Sequence, residues 1–169
     1  MRLFFLTFFV TSVAGIVAVS IGSKSKTQIN LQPIAFSHKT HVKINKIDCF
    51  YCHTYAKRAK IAGVPEMSVC MGCHKIVSGT TEKQKNEIQK IVSLFNEGKT
   101  VEWLKIYNLQ DFVYFSHKRH ILKEVDCKEC HGQVDEMEEI EKVSSLEMGW
   151  CLSCHRQRNA STDCITCHK

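Results

Sequence analysis

Apolar positions along the chain fall into one unbroken run and one helical stripe, with little regularity elsewhere. The run, Leu3 to Ile21, reads LFFLTFFVTSVAGIVAVSI, with Arg2 ahead of it and Lys24 and Lys26 behind. At 19 residues it outlasts a usual signal-peptide core and approaches the roughly 20 that a spanning helix needs. A single N-terminal transmembrane helix is the expectation, and Ala18-Val19-Ser20 is the small-x-small site that the alternative, a cleaved signal peptide, would use. Either reading exports the rest of the chain. Cys49 is the first cysteine, so a lipid on a new N-terminal cysteine is excluded. The stripe lies between Thr81 and Gly98: Thr81-x-x-Gln84 has the form of a capping box, Ile88, Ile91, Val92 and Phe95 recur at helical spacing, and Gly98 supplies a stop. A second, shorter helix with an acidic outer face is predicted from Val134 to Leu146.

Composition changes this picture. The chain has 169 residues, with ten cysteines and nine histidines against two prolines and eight glycines. Beyond the leader it is long enough for one domain with a modest core, and too short for a large enzyme. The 44% apolar fraction counts every cysteine and the leader, so few aliphatic side chains remain to fill an interior. Something other than side chains must do so.

The cysteines say what. All ten fall in one motif, Cys49-x-x-Cys52-His53, Cys70-x-x-Cys73-His74, Cys127-x-x-Cys130-His131, Cys151-x-x-Cys154-His155 and Cys164-x-x-Cys167-His168. Two thiols three positions apart lie on one side of a helical turn and can each form a thioether to a vinyl group of one haem, while the next histidine gives its imidazole to the iron. A disulfide framework would not need a histidine after every second cysteine. Zinc sites built from two pairs would strand the fifth. Five covalently bound c-type haems are predicted, with Cys49, Cys52, Cys70, Cys73, Cys127, Cys130, Cys151, Cys154, Cys164 and Cys167 as attachment points and His53, His74, His131, His155 and His168 as proximal iron ligands.

Four histidines remain, and they repeat: Phe36-Ser-His38-Lys-Thr-His41 lies eight residues before the first motif, and Phe115-Ser-His117-Lys-Arg-His120 seven before the third. His38, His41, His117 and His120 are predicted distal ligands. Their i, i+3 spacing lets each pair serve two neighbouring haems. The likeness continues through Glu66-Met67-x-x-Cys70 and Glu147-Met148-x-x-Cys151, a duplication with a period near 79 residues. Five irons need one more distal ligand than four histidines give, and the shortage falls in the second half. Met148 is the first candidate and Met67 the second, since methionine is the usual substitute. Against them stand the reading of both as gap-fillers beside porphyrin edges and that of an iron left open or ligated by a partner.

The formal charge of +6, which alone would suggest nucleic acid or an anionic membrane, also changes meaning. Each haem adds about −1 when ferric and about −2 when ferrous, so the lysine and arginine excess reads as counter-charge to propionates and no nucleic-acid partner is expected. The predicted fold is small, mainly α and irregular, with a haem-filled core and one N-terminal transmembrane helix. Residues 1–26 form the anchor and 27–169 the pentahaem domain, with unit one at 36–78, a linker helix at 81–98 and unit two at 115–169.

F-x-H-x-x-H followed by paired C-x-x-C-H sites resembles the class III multihaem cytochromes c. More closely, Trp103 to Leu109, Asp111 to His120, Cys127 to Gly132 and Met148 to Arg156 resemble the pentahaem subunit of bacterial alternative complex III, a quinol-oxidising respiratory complex. Gln110 departs from that pattern where proline is expected. The resemblance implies a non-catalytic electron-transfer subunit at the bacterial inner membrane, its haem domain on the periplasmic side. It implies as partners an iron-sulfur subunit, an integral-membrane quinol-binding subunit, a monohaem cytochrome c, and a terminal oxidase or soluble cytochrome as acceptor. The competing readings are a small anchored multihaem quinol dehydrogenase, which usually has four haems close behind its anchor, and a periplasmic multihaem reductase or free carrier. A reductase needs an open iron with positioned acid and base groups, and little chain is left to build such a pocket.

Overall fold

Each C-x-x-C-H motif forms its own turn of helix, and what starts the turn differs between two kinds of motif. Asp48 and Asp126 cap the first and third, accepting from Phe50 N–H at 2.7 Å and from Lys128 N–H at 2.8 Å. These turns are α1 (Cys49–Cys52) and α5 (Cys127–His131). The second and fourth motifs begin one turn earlier, at methionine, as α2 (Met67–His74) and α6 (Met148–Gln157). Between them come the long helix α3 (Glu82–Asn96) and α4 (His117–Ile121), and the fifth motif is α7 (Cys164–Cys167). The computed structural model describes residues 32–169. The anchor predicted at 1–26, with the apolar run of residues 3–21, lies outside them, and among the described residues no helix is long and apolar enough to cross a membrane.

The linker helix forms as predicted. Thr81 and Gln84 complete both halves of a capping box. At the other end Gly98, with φ 67°, donates to Phe95 O at 3.0 Å while Lys99 N–H donates to Leu94 O at 2.9 Å, the paired bonds of a Schellman stop that needs a left-handed residue there. Its stripe packs against α2 of the first unit: Ile91 joins Ile34 and Met71 in a small core, bordered by Met67, Val92 and Trp103. Phe95 falls at the stripe's edge and stays exposed.

The helix expected from Val134 to Leu146 is absent. A single 3-10 turn, Val134–Glu136, stands there, and the rest is irregular. Clustered carboxylates repel one another within a helix, and the backbone has other partners. Lys39 N–H donates to Met137 O at 3.0 Å. The Tyr107 hydroxyl donates to Glu141 O at 3.0 Å and accepts from Val143 N–H at 3.1 Å. The Ser144 hydroxyl donates to Cys130 O.

The two repeats share local hydrogen bonds and ring contacts, and where they differ in length the structure shows how. The first unit has one residue more between its second distal histidine and its first cysteine. That residue is absorbed by a π-helical turn, Lys39–Ile44, in place of the α-helical turn of α4, since a single insertion widens one turn. Beyond it the chains realign: Ile47 N–H donates to His41 O and Val125 N–H to His120 O, each at 3.1 Å. Lys46 and Glu124 both adopt positive φ, 58° and 55°.

Unit one is tied to the linker helix by Glu87, whose carboxylate accepts from Ala35 N–H at 2.9 Å and Lys90 Nζ at 2.6 Å. Desolvation pushes its carboxyl up, but Lys90 and the Ala35 amide outweigh this and hold it below the ordinary range. A depressed carboxyl stabilises the fold above its unfolded value and ceases to do so as pH falls through its folded value. Glu87→Gln should cost about 1 kcal/mol at neutral pH. Thermal melting as a function of pH checks this, and the difference from the parent should close below the ordinary carboxyl value of 4.5.

Candidate haem-binding centres

A histidine that ligates through Nε2 must carry its proton on Nδ1, and an acceptor for that proton fixes both tautomer and ring orientation. Six of the nine histidines have Nδ1 on a backbone carbonyl. His41 meets Ser37 O and His120 meets Ser116 O, each at 2.8 Å. His117 meets Lys60 O at 3.0 Å, His53 Gly63 O at 2.7 Å, His74 Val77 O at 3.0 Å and His155 Ser161 O at 2.6 Å. In each the Nε2 edge is the one left free.

The phenylalanine of the repeated motif clamps both distal rings. Phe36 lies 4.4 Å from His41, nearly parallel, and 4.9 Å from His38, edge-on at 86°. Phe115 repeats this with His120 at 4.4 Å and with His117 at 4.8 Å and 90°. One aromatic residue thus holds two imidazoles at a fixed divergence.

Distal rings then face proximal ones. The centroids of His41 and His74 are 6.1 Å apart, those of His117 and His131 6.3 Å, and those of His120 and His155 6.0 Å. Two imidazoles on opposite sides of one metal, each with a metal–nitrogen bond of about 2.0 Å, have centroids roughly 6 Å apart. His38 shares its surroundings with His53: burial first, then His53 and His41, lower its pKa to about 4. Burial likewise lowers His117 and His131, and both also feel His53. These rings are held neutral, as ligands must be.

The cysteines fit the same use. All ten are free thiols at exposed or half-buried positions, as thioether attachment from outside requires. The protein's own core is slight: of the described apolar residues only Ile34, Ala56, Met71 and Ile91 are buried. Large apolar side chains beside the motifs, among them Ile61, Val64, Ile76, Val77 and Ile165, stand exposed. Porphyrin faces are what such side chains would pack against. Anchored imidazoles at metal-spanning separations, accessible thiol pairs and an uncovered apolar lining together fit c-type haem.

Known proteins agree. Residues 113–169 match the family of cytochrome c7 and related cytochrome c. Over 167 aligned residues, covering 82% of this chain and 77% of the relative, the sequence is 30% identical to the multiheme cytochrome c subunit of menaquinone reductase from Nitratidesulfovibrio vulgaris strain Hildenborough. The chain belongs to the multihaem cytochrome c family. It is therefore an electron-transfer protein with covalently bound c-type haem.

Within this cytochrome the two methionine candidates part company. Met67 packs against the Ile34, Met71 and Ile91 core, the gap-filling use. Met148 opens α6 and is 65% exposed. Around His168, Phe112 lies 5.7 Å away ring to ring, Val113 pairs with His168 in an antiparallel bridge, and Tyr114 N–H donates to Cys167 O at 2.7 Å. The carbonyl anchors at Lys60, Gly63, Val77 and Ser161 had no sequence signal, because a backbone oxygen is common to all residues. Those at Ser37 and Ser116 had one, the serine that repeats four positions before each second distal histidine.

Gly132, directly after His131, has φ 68° and ψ −161°, a region that is essentially glycine's alone. A Cβ there would meet Val143 Cγ2 at 3.0 Å. Gly132→Ala should destabilise the protein by roughly 1–3 kcal/mol. It should also shift the low-spin ferric signal of the Cys127–His131 site in electron paramagnetic resonance, leaving those of the first unit in place.

Proposed function

We propose that the chain is the pentahaem relay subunit of a membrane-bound, quinone-linked respiratory complex. The observation that carries this reading is the set of three distal–proximal histidine pairs at 6.0 to 6.3 Å. By the repeat, His38 and His53 make the fourth, which assigns all spare histidines. His168 is then the ligand whose partner is not a histidine, and Met148 is proposed for it, one turn ahead of Cys151 on the same helix.

The haems supply reversible one-electron chemistry when bound. The chain's residues do the rest. Cysteine pairs attach each group, carbonyl anchors keep Nε2 available, and Phe36 and Phe115 hold the distal rings in place and away from water. Three proximal histidines each already face a distal histidine, so those centres offer no open position to a substrate; the depression beside the first motif, lined by Cys52, Tyr55, Val64, Pro65 and Glu66, brings a single carboxylate and no histidine. A relay therefore fits better than a reductase.

The anchor at residues 3–21 would hold the subunit to the inner membrane, with the haem domain on the periplasmic side. Its partners would be iron-sulfur and integral-membrane quinol-binding subunits, a monohaem cytochrome c, and a terminal oxidase or soluble cytochrome. In the alternative complex III reading, electrons leave quinol and pass outward. The relative's name favours a second reading, in which electrons from a cytochrome pass inward to menaquinone.

A pyridine haemochrome assay should return five c-type haems per chain, and two or fewer would sink the proposal. Met148→Ala should convert one low-spin ferric haem to high spin, with an unchanged spectrum removing Met148 as a ligand. Affinity purification from membranes should bring quinone-reactive subunits with the chain. Reduction of the bound haems by menaquinol, against oxidation of them by menaquinone, separates the two directions.

A further inference from the structure

The contact between the two repeats is the same contact made twice. Lys118 N–H donates to Ala59 O at 3.2 Å, and Lys39 N–H donates to Met137 O at 3.0 Å. Lys39 and Lys118 each follow the first distal histidine of their unit, and Ala59 and Met137 each lie six residues beyond its first proximal histidine. Each unit thus lays the loop behind its first motif on the distal turn of the other. Reciprocal pairing of equivalent residues is the signature of a two-fold relation, here between halves of one chain.

Side chains reinforce each half of this contact. Behind Lys39, Lys43 pairs with Glu136, and Lys39 itself pairs with Glu138 at 3.4 Å. At the mirror position His117 N–H donates to Lys60 O at 2.9 Å, and the same carbonyl accepts from its Nδ1 at 3.0 Å. The loop of residues 53–63, whose far end holds His53 through Gly63 O, therefore also holds the ring that faces His131.

From this geometry we infer that the five sites form one unbranched series, with their irons in the order of the proximal histidines His74, His53, His131, His155 and His168. This deepens, and rests on, the pentahaem reading. The pseudo-two-fold contact places the first site of each unit at the centre, because both tying loops follow first motifs. Each unit's second site is joined to its first by the two histidines of a single turn, so it lies on the outer side. The fifth site continues from the fourth through Ser161. Its carbonyl accepts from His155 Nδ1 at 2.6 Å, and its hydroxyl hydrogen-bonds Thr166, inside the last motif, at 3.0 Å.

Chain order and spatial order differ at one place: the second motif in sequence is an end of the series.

Stepwise oxidation of the holoprotein followed by two-dimensional exchange NMR reads pairwise redox interactions, and a cryo-EM or crystal structure of the haem-loaded chain reads iron separations directly. The expected result is four nearest-neighbour pairs, with His53 and His131 as the closest pair between units. If the His74 site proves nearer than the His53 site to the second unit, or the His168 site nearest to any but the His155 site, the series is wrong. Five haems in another order would remove the series alone; fewer than five would remove the reading beneath it.

Discussion

Two imidazoles leaving one helical turn, each obliged to face a different proximal histidine, are the constraint on which the remaining structure depends. A three-residue spacing sets their divergence, and one aromatic ring touching both prevents either from adjusting alone. With Nδ1 of His41, His117 and His120 committed to a carbonyl, each of those rings has a single direction left for Nε2, while His38, whose buried Nδ1 has no partner, is held by packing against Phe36. Phe36 and Phe115 reproduce their contacts to within 0.1 Å of centroid distance, although the turns beneath them are of different helical kinds. The backbone deforms and the ring geometry is kept. That order of rigidity is expected where metal ligation, rather than helix propensity, selects the conformation.

Such a fold depends little on an apolar core. Ile34, Met71 and Ile91 gather where α3 crosses α2, at one end of the first unit. Nothing of that kind joins the second unit to the first among the described residues. Instead the units are tied by backbone hydrogen bonds and by lysine–glutamate pairs at the surface. Surface ion pairs contribute little singly, which leaves axial ligation and the burial of porphyrin faces as the remaining sources of stability for a haem-loaded chain with so slight a core. The acidic segment at 135–139 is drawn into this interface. Carboxylates that would repel within a helix find Lys39, Lys43 and Lys128 when the chain is irregular.

Local chemistry was legible in the sequence because it is written at fixed spacing. The motifs, the four spare histidines, the duplication and the capped linker helix all needed only neighbours within a few residues or a second copy for comparison. Which distal ring meets which proximal ring was not legible, since His117 and His131 or His41 and His74 meet through tertiary packing. Backbone acceptors such as Gly63 O and Ser161 O were invisible for a different reason: no side chain marks them. The segment after Gly132 misled because its apolar spacing was helical while its hydrogen-bond partners lay in Tyr107, Cys130 and Lys39. Propensity yielded there to partners distant in sequence.

Histidine pairs of one kind at successive sites have a consequence for direction. The three facing pairs, His41 with His74, His117 with His131 and His120 with His155, are built from the same two side chains, so ligand type alone imposes no direction on an electron passing between them. For one-electron transfer a difference of about 59 mV changes an equilibrium tenfold, so a modest difference in poise between a donor at one end and an acceptor at the other is enough to set the direction of net flow. The same scaffold can then serve in a complex that oxidises quinol and in one that reduces menaquinone. In the ligand set proposed above, the site that breaks the uniformity is His168, for which the spare histidines leave no partner. A thioether in that position raises the potential relative to a second imidazole. It would make this end the place where reducing equivalents collect, and so the place where the identity of the partner decides the direction of flow.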